Sequence, residues 1–279
     1  KEPPPDFQLS TLSGTSSHNR HSGFIRLLPF VDLQSVFEEI RQVPAQAPWG
    51  GANQWRHTMS VMSCPSAPRP SNFNNGQKTA KNYVFSIGDN RRNNDGQMES
   101  TRGVFQKWQL NGGEPQNRIE FRDVTDGTSN TVAMSERIGM ITNANVSTGG
   151  VSTTGQHDNP AGCLATVAGD SYVGGSAIED SRWNDGRPSY VGFHTILPPN
   201  SPSCTDGGGN IHDGPVLVSA SSLHTGGANA LMLDGSVRFI SSNIDAGDPS
   251  ASYVTSGASP YGVWGNLGAK NDGEVINFN

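Results

Sequence analysis

The chain has 279 residues, of which 33% are hydrophobic, 16% are charged and 34 are glycine; it is long enough to bury a core, but carries more turns and fewer charges than an average cytosolic enzyme. A formal charge of −6, with no Lys/Arg cluster beyond Arg91-Arg92, argues against a nucleic-acid partner, because phosphate contact needs a basic face. No run approaches the ~18 apolar residues that span a bilayer, and abundant Ser, Thr, Asn and Gly favour an exported, β-rich domain.

Residues 1–22 are Pro-, Ser- and His-rich without periodicity and read as an extended lead-in, and residues 23–279 as a single domain. Gly23 to Phe30 reads as a short strand. Asp32 is placed to cap a helix in which Leu33, Val36, Phe37 and Ile40 recur on one face. Thr58 to Cys64, closed by Pro65, and the alternating Tyr83 to Ile87 read as strands. Residues 88–103 are almost purely polar and read as a long exposed loop. Val104 to Leu110 and Arg118 to Val124 are expected to pair across Asn111-Gly-Gly-Glu-Pro-Gln. Asp126-Gly-Thr-Ser-Asn-Thr131 is a turn whose side-chain oxygens can bond its own amides, feeding a strand from Val132 to Glu136. Residues 142–160 read as a polar insertion, and Pro188 to Leu197 as a further strand.

The most strongly patterned stretch runs from Ser222 to Ile240 and reads as a β-hairpin. With Asp234-Gly235 as a two-residue turn able to hold positive φ, Met232 faces Val237 and Ala230 faces Phe239, which makes one face wholly apolar. His224 precedes Asp234 by ten residues. The fold class expected is α+β, mainly β, with an antiparallel sheet and long loop insertions.

His-x9-Asp-Gly, from His224 to Gly235, resembles the C-terminal signature of the planctomycete-type prepilin-like proteins, a family of unknown function. Companion segments occur in that family's order: Phe24-Ile-Arg-Leu-Leu-Pro-Phe30, Val61-Met-Ser-Cys-Pro-Ser66, Asp126-Gly-Thr-Ser-Asn-Thr131 ending at Glu136, Leu197-Pro-Pro-Asn-Ser-Pro-Ser-Cys204, and Val263-Trp-Gly-Asn-Leu267. The resemblance implies a pilin-like globular domain of a type IV pilus or type II secretion pseudopilin subunit. Such a subunit is extracytoplasmic, anchored in the membrane by an N-terminal helix upstream of Lys1, and meets other pilin-like subunits or copies of itself.

The chain has three cysteines. Cys163 and Cys204 lie in Gly/Pro/Asp-rich segments read as surface, and a disulfide between them is expected, against free or differently paired thiols. Cys64 is then left over, and the resemblance places a partner for it on the upstream helix. His224, Asp234 and Gly235 read as a structural motif: Asp234 for turn conformation, His224 for a hydrogen bond fixing the approach to the hairpin, since two such residues supply too few ligands for zinc. Oxygen-rich Asp89–Asp95 and Asp206–Asp213 have the chemistry that suits Ca2+, without EF-hand spacing. Neither Gly-x-Ser-x-Gly nor His-Glu-x-x-His is present; Ser222, His224 and Asp234 share triad residue types but no known triad order, so a metal-dependent hydrolase is the weaker reading and no enzyme is expected. A secreted carbohydrate-binding module is the rival, with Trp49, Trp55, Trp108, Trp183 and Trp264 as stacking candidates for a glycan.

Overall fold

A computed structural model describes residues 21–42, 47–50, 53–57, 59–67, 81–90, 102–105, 109–111, 114–116, 119–139, 145–153, 155, 159–177, 182–205, 216–274 and 276. Its centre is a five-stranded sheet of β1 (Tyr83–Ser86), β2 (Val132–Glu136), β3 (Gly192–Phe193), β4 (Gly227–Met232) and β5 (Val237–Ser241), in the order β5-β4-β2-β1-β3. Neighbours run antiparallel except β1 and β3. A four-stranded sheet of two-residue strands places Cys204–Thr205 between Val216–Leu217 and Val151–Ser152, with Ser176–Ala177 outside. The helices are short: α1 (Gly23–Leu27), α2 (Gln34–Gln42), α3 (Pro160–Leu164), α4 (Pro188–Val191) and α5 (Gly262–Gly268). The chain is therefore α+β and mainly β, with long connections.

The central sheet has a core on each face. On one, Val84, Ala230, Met232 and Ile240 pack with Phe193 against Trp264 and Leu267 of α5. On the other, Phe85 packs with Phe24, Ile25 and Leu28 from the first helical turns and with Val36 and Ile40 from α2; the Phe24 and Phe85 rings lie 4.5 Å apart. The expected apolar face of α2 is real, since Leu33 and Phe37 join Val36 and Ile40 at this core. Asp32 does not cap it: that residue has φ of 61° and helical structure starts at Gln34.

Several segments expected as strands are helical, for identifiable reasons. Gly23 to Phe30 forms α1 followed by a 3-10 turn over Leu28–Phe30. Its apolar run suits either period, and Ser22 Oγ, accepting the Phe24 N–H at 3.1 Å, decides for the helix. Thr58 to Cys64 contains a 3-10 turn at Ser60–Met62 in place of a strand. Pro188 to Leu197 begins with α4, where Pro188 occupies the first helical turn, and leaves only Gly192–Phe193 for the sheet. The long pairing of Val104 to Leu110 with Arg118 to Val124 is instead a tight hairpin of Gln109–Asn111 with Glu114–Gln116, and Phe121–Asp123 is a 3-10 turn.

The Ser222-to-Ile240 hairpin forms, but one residue out of the expected register. Leu231 pairs with Val237, Ala230 with Arg238 and Asn229 with Phe239. Leu233, Asp234 and Gly235 make a three-residue loop closed by the Met232 N–H donating to the Ser236 carbonyl at 2.8 Å. Gly235, at φ of 87°, supplies the left-handed residue such loops require. Asp234 is not at positive φ; its carboxylate accepts the Ser236 N–H at 2.9 Å and the Ser236 hydroxyl at 2.6 Å, and these bonds hold it below the usual carboxylate range. The slip turns Val237 and Phe239 away from the face of Ala230 and Met232, where they are exposed, and brings Ile240 onto it.

Candidate functional site

Register places the site. Directly opposed residues share a sheet face, so the pairs Phe85–Met134, Tyr83–Glu136, Leu231–Met134, Leu231–Val237 and Asn229–Phe239 put all these side chains on the face that α1 and α2 cover. The cover is partial. The helices sit over β1, and across β4 and β5 the face stays open, with Val237 65% and Phe239 50% exposed. Phe30 and Val61 stand exposed as well. Between the helical turns and the hairpin lies a groove of about 310 Å³, with Leu27, Val61 and Met62 on one side and Met134, Leu231 and Val237 on the other.

The groove adjoins a second, mixed pocket of about 180 Å³ at the end of β2, lined by Cys64, Asn82, Glu136, Ser222 and His224 among others. Three motifs distant in sequence meet here. Glu136 Oε1 lies 3.2 Å from His224 Nε2, and its Oε2 accepts the Asn229 N–H of β4 at 2.8 Å. Ser222 Oγ accepts the His224 N–H at 3.0 Å while donating to the Gly227 carbonyl at 2.7 Å, which fixes the approach to the hairpin. Gly227 has to be glycine, since a Cβ there would meet the Ile240 carbonyl oxygen at 2.1 Å. On the other side, Asn82 Oδ1 accepts the Cys64 N–H at 2.7 Å. Burial, followed by the nearness of Cys64 and Glu136, raises the Tyr83 hydroxyl above its ordinary value.

Cys163 and Cys204 are joined in a disulfide and Cys64 is free. Both bridged cysteines are fully buried among Val151, Ile196 and Leu217, and so are not in surface segments. The Asp126 turn also serves a structural purpose: its carboxylate accepts the Asp272 and Gly273 N–H groups at 2.6 and 3.0 Å, tying down the C-terminal segment. Within the turn, Asn130 and Thr131 donate to the Asp126 and Gly127 carbonyls, the reverse of the expected bonding to amides. Burial and the adjoining Asp126 push Asp272 up to about 6, against the lowering effect of the Glu274 N–H, and burial together with the charge of Arg102 brings Lys270 down to about 8.

Ser222, His224 and Asp234 do not assemble into a triad, because His224 is bonded to Glu136 whereas Asp234 is engaged with Ser236 at the far end of β4. Among the described residues, no three His, Cys, Asp or Glu side chains stand close enough to hold one metal ion. Asp89, expected among the calcium-type oxygens, is buried and receives the Arg102 guanidinium at 2.7 Å, while residues 91–95 and 206–213 lie outside the described residues. Trp55, Trp183 and Trp264 are fully buried and offer no stacking platform; Trp49 is exposed, and Trp108 is outside the described residues.

A family described as "Protein of unknown function (DUF1559)" matches residues 4–247. The chain belongs to this family. No curated protein and no solved structure matches it. Two elements escaped the sequence reading. Glu136 as the partner of His224 was discoverable, since a carboxylate ending an apolar strand needs a donor. The other is Arg137, buried and spending its guanidinium on the Gly192, Ser189 and Tyr190 carbonyls at 2.7–2.9 Å, which left no local pattern.

Proposed function

We propose that this chain is the extracytoplasmic globular domain of a type IV pilin-like or type II secretion pseudopilin-like subunit, anchored in the membrane in its full-length form and acting through filament assembly or surface contact, without turnover. The groove between α1 and the β4–β5 hairpin carries this reading. A sheet that buries Val84, Ala230, Met232 and Ile240 on one face and leaves Leu231, Val237 and Phe239 on the other, across the groove from the exposed Val61, is built to take a further element. An apolar helix of the subunit laid in the groove would remove those side chains from water, each contributing about 1–3 kcal/mol on full burial. Cys64, free and close to the groove's end, is then available to a cysteine on that helix.

The test is to express the full-length protein in its native host and locate it by immunogold labelling, alongside the encoded residues upstream of Lys1. Surface or envelope labelling and an upstream basic leader followed by an apolar helix are expected. A cytoplasmic protein without such a helix, or a robust hydrolase activity that depends on His224, refutes the proposal.

A further inference from the structure

The apolar wall of the groove ends at a carboxylate. Glu136 lines both the groove and the adjoining pocket, and it is the one charged residue among the groove's described lining. Its side chain is 12% exposed. The two oxygens are held in place by the Asn229 N–H and the His224 imidazole. Among the described residues no Lys or Arg reaches it within ion-pair distance, and its chain neighbour Arg137 is committed to three backbone carbonyls elsewhere. The His224 contact is an ion pair only when the imidazole is protonated.

A carboxylate this far out of water and without a permanent countercharge is costly, and a cation delivered to it by a ligand meets a preorganised acceptor in a surround of low polarity. We infer that the occupant of the groove is an apolar helix carrying one Lys or Arg at the position that meets Glu136. The long apolar stem of either side chain suits a wall of Met and Leu, with the charged head at the groove's end. This inference rests on the groove being a helix seat, and names the chemistry by which that seat selects and registers its helix.

Fluorescently labelled, helix-forming Leu/Ala peptides of roughly 18 residues, with a single Lys, Gln or Glu walked through one helical turn, are titrated with the wild-type chain and with Glu136→Gln and Val237→Asp variants. Near-UV circular dichroism confirms that the variants are folded. The best Lys peptide is expected to bind the wild-type chain roughly tenfold more tightly than its Gln counterpart, with the Glu peptide weakest. The advantage should vanish in Glu136→Gln, and all binding should fall in Val237→Asp. Equal binding of the three peptides overturns the cation pairing while the helix seat stands; binding by none overturns both. Sedimentation velocity of the same chains would show a dimer abolished by Val237→Asp if the occupant is a second copy, which also overturns the inference.

Discussion

Breaking the Cys163–Cys204 bridge has a cost that can be worked out in advance. The cysteines are 41 residues apart, and closing a loop of that length removes about 13 cal/mol/K from the unfolded chain, or about 4 kcal/mol at 25 °C. The bond ties α3 to the strand Cys204–Thr205, inside a cluster that includes Tyr172, Leu197 and Tyr261. Replacing both cysteines by alanine also empties the space of two buried sulfurs, adding about 1–2 kcal/mol. Guanidinium unfolding followed by fluorescence of the buried tryptophans should show a loss of about 4 kcal/mol when the wild-type chain is reduced and about 5–6 kcal/mol for Cys163→Ala/Cys204→Ala, a large part of the ~5–15 kcal/mol a domain possesses. The comparison separates the cross-link from the sulfur volume. Thiol titration in denaturant should count one thiol per chain before reduction and three after. A loss below about 1 kcal/mol in both cases would refute the reasoning, because it would mean that loop closure does not limit the unfolded chain.

Gly235→Ala should cost about 1–2 kcal/mol, since alanine must enter the left-handed region at φ of 87°; an unchanged melting temperature would show that the loop rearranges freely. Asp234→Ala removes only an exposed acceptor for Ser236 and should lower the melting temperature less than Gly235→Ala does. Glu136→Ala strands the Asn229 N–H and should destabilise by about 2 kcal/mol, more than His224→Ala at about 1 kcal/mol, with the double variant less than additive in chemical denaturation. For Asp272, raised from 3.8 to about 6, the folded state holds the proton more tightly; its stabilising contribution is full below about pH 4 and is lost as pH rises to 6. For Lys270, lowered from 10.5 to about 8, the folded state holds the proton less tightly, so stability recovers as pH climbs from 8 toward 10.5. Asp272→Asn and Lys270→Met should each flatten its own window in pH-dependent melting curves; unchanged slopes would count against the buried cluster.

The strands β1 and β2 were legible from local signals, the alternation of Tyr83 to Ile87 and the Asp126 turn that feeds Val132 to Glu136. The failures have a common physical origin in short apolar runs whose period was undecided. At Gly23 to Leu27 a single serine side chain settled the helix, and at Pro188 the ring that looked like a strand boundary was the first turn of a helix. Both outcomes also involve distant groups: the Ser22 N–H donates to the Asn184 carbonyl at 2.8 Å, and the carbonyls of Ser189, Tyr190 and Gly192 are gathered by Arg137 from more than fifty residues away. A pattern read over ten residues contains none of that.

The hairpin shows how a small local error becomes a functional one. Choosing a two-residue turn where the chain uses three shifts β5 by one position, and with a side-chain period of two that moves Val237 and Phe239 from the core to the open face. In the expected register that face carries Leu231, Leu233 and Ile240 but neither Val237 nor Phe239. In the observed one these two continue the line of Leu231 and Met134 toward Glu136, where the Asp126-to-Glu136 motif, the Cys64 segment and the His224 turn come together. Those motifs are separated in the chain by long polar stretches, and the sheet is what brings them together: β1 places Tyr83 opposite Glu136, β2 ends at Glu136, and β4 starts just after His224 and offers the Asn229 N–H. A residue set that looked like punctuation around separate strands is therefore one junction, at which a polar pair fixes how β4 lies on β2 and, by doing so, aims the apolar face of the hairpin outward.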